Sequence, residues 1–281
     1  MLAVLLYLAN VASAGEQKLS QRERSGLEED VVVTASRRRA VEQYIDRVSP
    51  AEQRRQMARW NVPLCIKYEG VSASVASFIQ SRIVESAKRV LLDVERKGCN
   101  ENVLVKLSDQ ADELARAWVH LSPRRIGSAS DESLPPKRLV DAIEAPRVVR
   151  WMTLTETINY DGLNFDYGGE KPTNKLASAS LIRSSTREVV RSKIVLIDAV
   201  RLKGVTLKQL GDHIAFVVLA SPDIVADFTG QNSIMSLFSG GSRPTGMTPQ
   251  DLRFLKALYS IPPDRPPAVQ TGLLLDYMTR D

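Results

Sequence analysis

Two hydrophobic periods alternate along this chain, and their alternation predicts its elements. Residues 62–68 form a short apolar run of strand length. Across residues 72–97, Val75, Phe78, Ile79, Ile83, Ala87, Val90, Leu91 and Val94 keep helical spacing. They predict one long amphipathic helix closed by Gly98 as its C-cap. Residues 102–107 predict a second strand, and Ser108 the cap of a helix over 109–121. The Ser-, Pro- and Arg-rich residues 122–136 read as a surface loop. A short helix over 138–144 and a third strand over 147–155, carrying Trp151, come next. Residues 157–175 read as a loop rich in Asn, Asp and Gly, followed by strands over 177–183 and 191–200 paired as a hairpin turning at 184–187. Thr206 opens a helix to Ala220 whose second half, from Ile214, is apolar on every side and therefore belongs in a core. A short turn spans 233–238, and a helix over 249–259 has Thr248 as N-cap, Pro249 at its first position and Asp251 in its first turn. Pro262, Pro263, Pro266 and Pro267 end it, and an apolar segment over 272–278 finishes the chain.

Upstream, residues 15–30 are polar and read as a flexible arm. Val31, Val32, Val33 and Thr34 make a β-prone run. Val41, Tyr44, Ile45 and Val48 have helical spacing, and Ser49-Pro50 starts a second helical piece ending at Trp60. There is no internal repeat. The pattern predicts an α/β protein: a twisted mixed sheet of about five strands with backing helices, forming one domain over 60–281 behind a basic arm over 15–59.

The first residues change the expected compartment. An apolar run from Leu2 to Leu8 precedes Ala12-Ser13-Ala14, the form of a signal peptide over 1–14, although no Lys or Arg comes before the run. The run is too short to span a bilayer, so a periplasmic or secreted protein is expected, not an integral membrane one. In an exported chain the two cysteines, Cys65 and Cys99, suggest one disulfide, with two buried thiols as the alternative. A loop of about 34 residues closed this way is worth roughly 4 kcal/mol on the chain-entropy model. The net charge of +5 is modest. Its excess sits in Arg37, Arg38, Arg39, Arg47, Arg54, Arg55 and Arg59, facing only Glu42, Asp46 and Glu52. Such an arm suits a solvated helix face, and export argues against a nucleic-acid partner.

The order strand, long helix, strand, helix, three strands, helix resembles the upper subdomain of metzincin zinc peptidases. The tail adds to the likeness: Asn232-Ser-Ile-Met-Ser-Leu-Phe238, then Thr248-Pro-Gln-Asp251, with Leu258-Tyr259 at the end of the following helix. It is similar to the C-terminal signature of an uncharacterised secreted bacterial family with a metzincin-like fold, and the segment around Trp60, Cys65, Cys99 and Asn102 fits it too. The resemblance covers about 60–259 and implies a metzincin-like topology.

The zinc chemistry does not follow from it. A metzincin needs His-Glu-x-x-His, which sets two imidazoles on one helical face, and a third His. On the corresponding helix His213 has Gln209 four residues before it, Val217 four after, and no Glu next to it. The only other histidine is His120. No metal, cofactor or catalytic residue is therefore expected. His213 and Asp212 remain as a weak binding pair, and His120 as an interaction at a helix end. There is no Gly-x-Ser-x-Gly, Ser-x-x-Lys or Walker loop. Ser239-Gly240-Gly241-Ser242 with Arg243 reads as a flexible turn more than an anion cradle. The best binding candidate is the 157–175 loop, with Tyr160, Asp161, Asn164, Asp166 and Tyr167, whose aromatics, amides and carboxylates suit a glycan or a peptide. The Asp30–Arg39 stretch is similar to the mature start of TonB-dependent outer-membrane receptors. The function expected is an exported, non-catalytic, peptidase-like scaffold binding a peptide, a glycan or an envelope partner. The alternatives are a hydrolase with an unconventional site and an accessory to a TonB-dependent system.

Overall fold

The computed structural model describes residues 21–49, 55–95, 98–121, 123, 126–128, 134–160, 183–241 and 243–280. The chain divides into two compact units, residues 1–40 and 41–281. In the first, the described residues are helical, part of helix α1 (Gln21–Val48). Residues 21–30 are therefore helical and not a flexible arm. The β-prone residues 30–39 are helical as well, against the sequence expectation. A strand needs a neighbour to satisfy its N–H and C=O groups, whereas a helix satisfies them internally.

The second unit opens with the last turns of α1, where Tyr44, Ile45 and Val48 are buried. Six strands form one sheet in the order β2-β1-β3-β6-β5-β4. They are β1 (Leu64–Glu69), β2 (Val94–Glu95), β3 (Val103–Ser108), β4 (Gly127–Ser128), β5 (Val149–Asn159) and β6 (Thr186–Asp198). β1 runs parallel to β2 and β3, β3 parallel to β6, β4 parallel to β5, and only β5 and β6 are antiparallel. The α/β class with a mixed sheet is thus the architecture. The helices are α2 (Ala73–Lys88), α3 (Ala111–Leu121), α4 (Lys137–Glu144), α5 (Leu207–Ala220), α6 (Pro249–Ser260) and α7 (Pro267–Thr279), with a 3-10 turn over Ile234–Phe238.

Several boundaries differ from the periodic pattern, each for a local reason. Helix α2 stops at Lys88, well before Gly98, because Leu91 takes a left-handed φ of 57° and the Leu92 N–H folds back to the Ala87 carbonyl. That turn frees Val94 to pair with Leu64 as β2. Residues 55–60 are not helical; Arg59 bridges Val189, and its guanidinium donates to the carbonyls of Leu258 and Ile261. The 122–136 segment contributes the edge strand β4. The hairpin is β5 with β6, and Thr186 and Arg187 belong to β6, not to a turn; the expected strand at 177–183 lies outside the described residues except Arg183, which is not in a strand. The closing apolar segment is a helix opened by Pro267 at its first position.

The caps of α5 and α6 follow the sequence, but Ser108, expected to cap a helix from 109, is the last residue of β3, and α3 starts only at Ala111. Thr206 with Gln209 and Thr248 with Asp251 form capping boxes on α5 and α6. Every residue of α5 from Gln209 to Ala220 is buried. Cys65 and Cys99 are joined by a disulfide with Cα atoms 5.9 Å apart. No helix among the described residues is long and apolar enough to cross a membrane.

Candidate functional site

A register shift in the β5–β6 ladder builds the floor of a groove among the described residues. Thr153 pairs with Lys193, Thr155 with Val190 and Thr157 with Glu188, the shift falling between Leu154 and Thr155. Residues directly opposite share a face, so Lys193 and Glu188 point the same way although they lie five positions apart. Over this face the C-terminus of α5 crosses, and residues 221–225 turn away along it. The space between is a cavity of about 360 Å³. Met57, Ala58, Ile126, Leu139, Phe254 and Leu258 line it. Arg55 and Arg138 stand among the lining residues.

One wall is pinned by amides. Gln56 Nε2 donates to the carbonyls of Thr186 (2.8 Å) and Arg265 (3.0 Å), and the Met57 N–H donates to Gln270 Oε1 at 2.7 Å. The floor is pinned by Trp151, whose Nε1 donates to the Pro222 carbonyl at 2.7 Å. The groove is therefore held open by hydrogen-bonded backbone, a preformed shape suited to a ligand.

Two buried polar groups on this face of the sheet stand out: Glu188, which lines the groove, and Lys193, which lies beneath it and does not. Glu188 is buried; its Oε2 accepts from the Thr157 hydroxyl at 2.8 Å, while its Oε1 has no hydrogen-bond partner. Lys193 is 1% exposed. Its Nζ lies 2.6 Å from the Val217 carbonyl, 3.2 Å from that of Val218 and 2.6 Å from Ser221 Oγ. Burial pushes the Lys193 ammonium well below the usual lysine range. Ser221, half-buried and lining the groove, ends α5 in the left-handed region at φ 51°, ψ 52°. Sequence inspection missed both residues, because they lie 28 positions apart on different elements and match no local motif. One signal was present: a lysine inside the apolar run of a central strand has no solvent to reach.

The residues singled out from the sequence lie elsewhere. Asp212 is fully buried on α5 and is bound by Arg82 Nε at 2.5 Å, Lys208 Nζ at 2.8 Å and the Met247 N–H at 3.0 Å. Burial works to raise its pKa, but the bonds from Arg82, Lys208 and Met247 prevail and hold it below the usual carboxylate range. It ties α2 to α5 and to the segment before α6. His213 is 2% exposed, with Nδ1 3.2 Å from the Ile234 carbonyl and its ring edge-on to Trp151 and Phe238. Burial lowers its pKa to about 4. Neither residue lines the groove. Tyr160 is exposed just beyond β5, and Asp161, Asn164, Asp166 and Tyr167 lie outside the described residues. His120, at the end of α3, reaches Glu144 at 3.4 Å. Arg243 donates to the Gly204 carbonyl at 2.6 Å.

The metzincin resemblance implies zinc, and the donor set here does not fit it. His213 is enclosed by aromatic rings and a carbonyl, His120 stands on α3, and among the described residues no three His, Cys, Asp or Glu side chains converge. No protein-family model, no curated protein and no solved structure matches this chain.

Proposed function

We propose that this protein works outside the cytoplasm as a peptidase-like scaffold that binds a peptide segment with apolar side chains in the β5–β6 groove. The Cys65–Cys99 bridge supports an oxidising compartment, as do the apolar start and Ala12-Ser13-Ala14. The observation that carries the binding reading is Glu188 Oε1, a buried carboxylate oxygen without a donor, on a residue that lines a groove of mixed apolar and polar walls. A buried acceptor left unpaired costs about 1–3 kcal/mol, and a ligand N–H or ammonium placed there recovers it. Among a peptide, a glycan and an envelope partner, the apolar part of the lining, Met57, Ile126, Leu139, Phe254 and Leu258, favours a peptide whose leucine-like side chains meet it while a donor meets Glu188. The metzincin-like family stands behind this as a resemblance of element order and tail motif only.

The test is anisotropy of a fluorophore-labelled library of short leucine- and lysine-containing peptides. Binding should saturate with wild type and be lost in Ala58→Trp, which plugs the groove. Glu188→Gln should weaken the lysine-containing members selectively. Equal binding by wild type and Ala58→Trp would place the ligand elsewhere and end this reading.

A further inference from the structure

We infer that Ser221 and Lys193 form a nucleophile–base pair that transfers the acyl group of a ligand held in the groove, making the scaffold a serine hydrolase of the Ser–Lys kind. The inference rests on the groove being the ligand site and goes beyond it. Three features converge on Ser221. It opens onto the groove, its Oγ is 2.6 Å from Lys193 Nζ, and its backbone sits at φ 51°. A serine is an uncommon choice there: helices that end left-handed usually use glycine, which has no Cβ to strain. A strained residue that presents a hydroxyl at a cleft is the arrangement of a nucleophile at a sharp turn.

Lys193 is placed as a base rather than a counter-ion. Among the described residues no carboxylate is bonded to it; its three hydrogen-bond neighbours are two carbonyls and a hydroxyl. A neutral amine satisfies all three, donating its two N–H groups to Val217 and Val218 and accepting the Ser221 O–H with its lone pair. Burial favours that neutral form.

The chemistry balances with water as co-reactant. The Ser221 proton passes to Lys193 Nζ as Oγ bonds to the acyl carbon of an ester or amide. The bond to the leaving group breaks, and the leaving oxygen or nitrogen takes the proton from Lys193. Water then gives a proton to Lys193 and attacks the acyl-serine. The acid departs, and Ser221 Oγ recovers its proton. The acyl part matched by Met57, Ile126, Leu139 and Leu258 is apolar.

The experiment uses the full chain with a fluorophosphonate reagent and the p-nitrophenyl ester of N-acetyl-leucine. The expected adduct lies on Ser221 by peptide mass mapping, and heat-denatured protein gives none. Ester turnover should fall about 100-fold or more in Ser221→Ala and Lys193→Met, the scale of a lost nucleophile or general base. Lys193→Met keeps a donor on each helix carbonyl, since Ser221 N–H still reaches Val217 and Trp60 Nε1 still reaches Val218. Ser221→Gly covers the case in which Lys193→Met does not fold: it should melt higher than wild type and lose the adduct. A wild type without the adduct, or Ser221→Ala with undiminished turnover, overturns the inference. Peptide binding lost in Ala58→Trp but no Ser221 adduct would leave the groove and remove only the dyad; an adduct that forms equally in Ala58→Trp would remove the groove.

Discussion

At the scale of single residues, this protein stores its polar chemistry inside the core, and acid should reveal it. His213 is held neutral: Nδ1 faces the Ile234 carbonyl and so carries the proton, while Nε2 is buried without a partner. Its pKa falls from about 6.5 in the unfolded chain to about 4 in the fold. Above the higher value both states are neutral and it contributes no slope. Between the two the unfolded chain binds the proton and the folded one does not, so stability falls as pH drops, by about 3 kcal/mol in all. Urea unfolding at pH 7 and pH 4 should show that loss, and His213→Phe should lack most of it. The share of Asp212 belongs to a lower window, because its pKa is depressed and its ion pairs are lost only as pH falls through that lowered value. Gly246 guards the same pairs: a methyl there would run into the Lys208 ammonium and the Asp212 carboxylate. Gly246→Ala should cost about 1–3 kcal/mol in urea unfolding, whereas Gly272→Ala, which meets nothing inside helix α7, should stabilise by up to about 1 kcal/mol. Of these residues the sequence made His213 legible as a core group, since its helix is apolar all round. The groove was not legible. Strict alternation along β6 sets Glu188 and Lys193 on opposite faces, and only the register shift opposite Leu154 and Thr155 reunites them. A bulge has no sequence signature strong enough to read.

At the scale of elements, long-range bonds fix what local propensity leaves open. The starts of α5 and α6 were legible because a cap is a local event: Thr206 and Thr248 each accept an N–H three residues ahead. Helix ends and edge strands were not, because α2 stops where the chain must turn to lay β2 beside β1, a choice made by the sheet. The Cys65–Cys99 bridge holds the same corner, spanning 34 residues from β1 to the segment after β2. Replacing both cysteines by serine should lower unfolding free energy by about 4 kcal/mol, and a reductant should do the same to wild type. If both leave the urea midpoint in place, the bridge is not constraining the unfolded chain. A second knot joins α1, the 3-10 turn and α6 through Asp251. Its carboxylate accepts from the Tyr44 hydroxyl (2.9 Å), the Ser233 hydroxyl (2.6 Å) and the N–H groups of Ile234 (2.7 Å) and Thr248 (2.9 Å). Burial raises its pKa and these bonds oppose the rise. Asp251→Ala strands all those donors in the core, so a loss above about 3 kcal/mol is expected, far more than a surface cap substitution gives.

At the scale of the whole molecule, the question is where the folding unit begins. Composition places the change at Trp60, where the basic stretch ends; the packing places it earlier. Tyr44, Ile45, Val48 and Met57 all belong to the hydrophobic core, and Arg59 donates into the end of α6. Periodicity announced the first three as a helical face, but charge density around them disguised that face as an arm. Burying such side chains is worth about 1.5–3 kcal/mol each, so the four together rival the 5–15 kcal/mol that holds a typical domain. Removing Tyr44 also takes one donor from the Asp251 carboxylate. A chain starting at Val41 keeps every described core residue and should melt cooperatively, with the near-ultraviolet circular dichroism of a packed aromatic core. A chain starting at Trp60 should lose that signal and its cooperative melt, and should not bind peptide. If the shorter chain instead melts as sharply as the longer one, at the same temperature, the α1 turns are an accessory and the core must be closed without them.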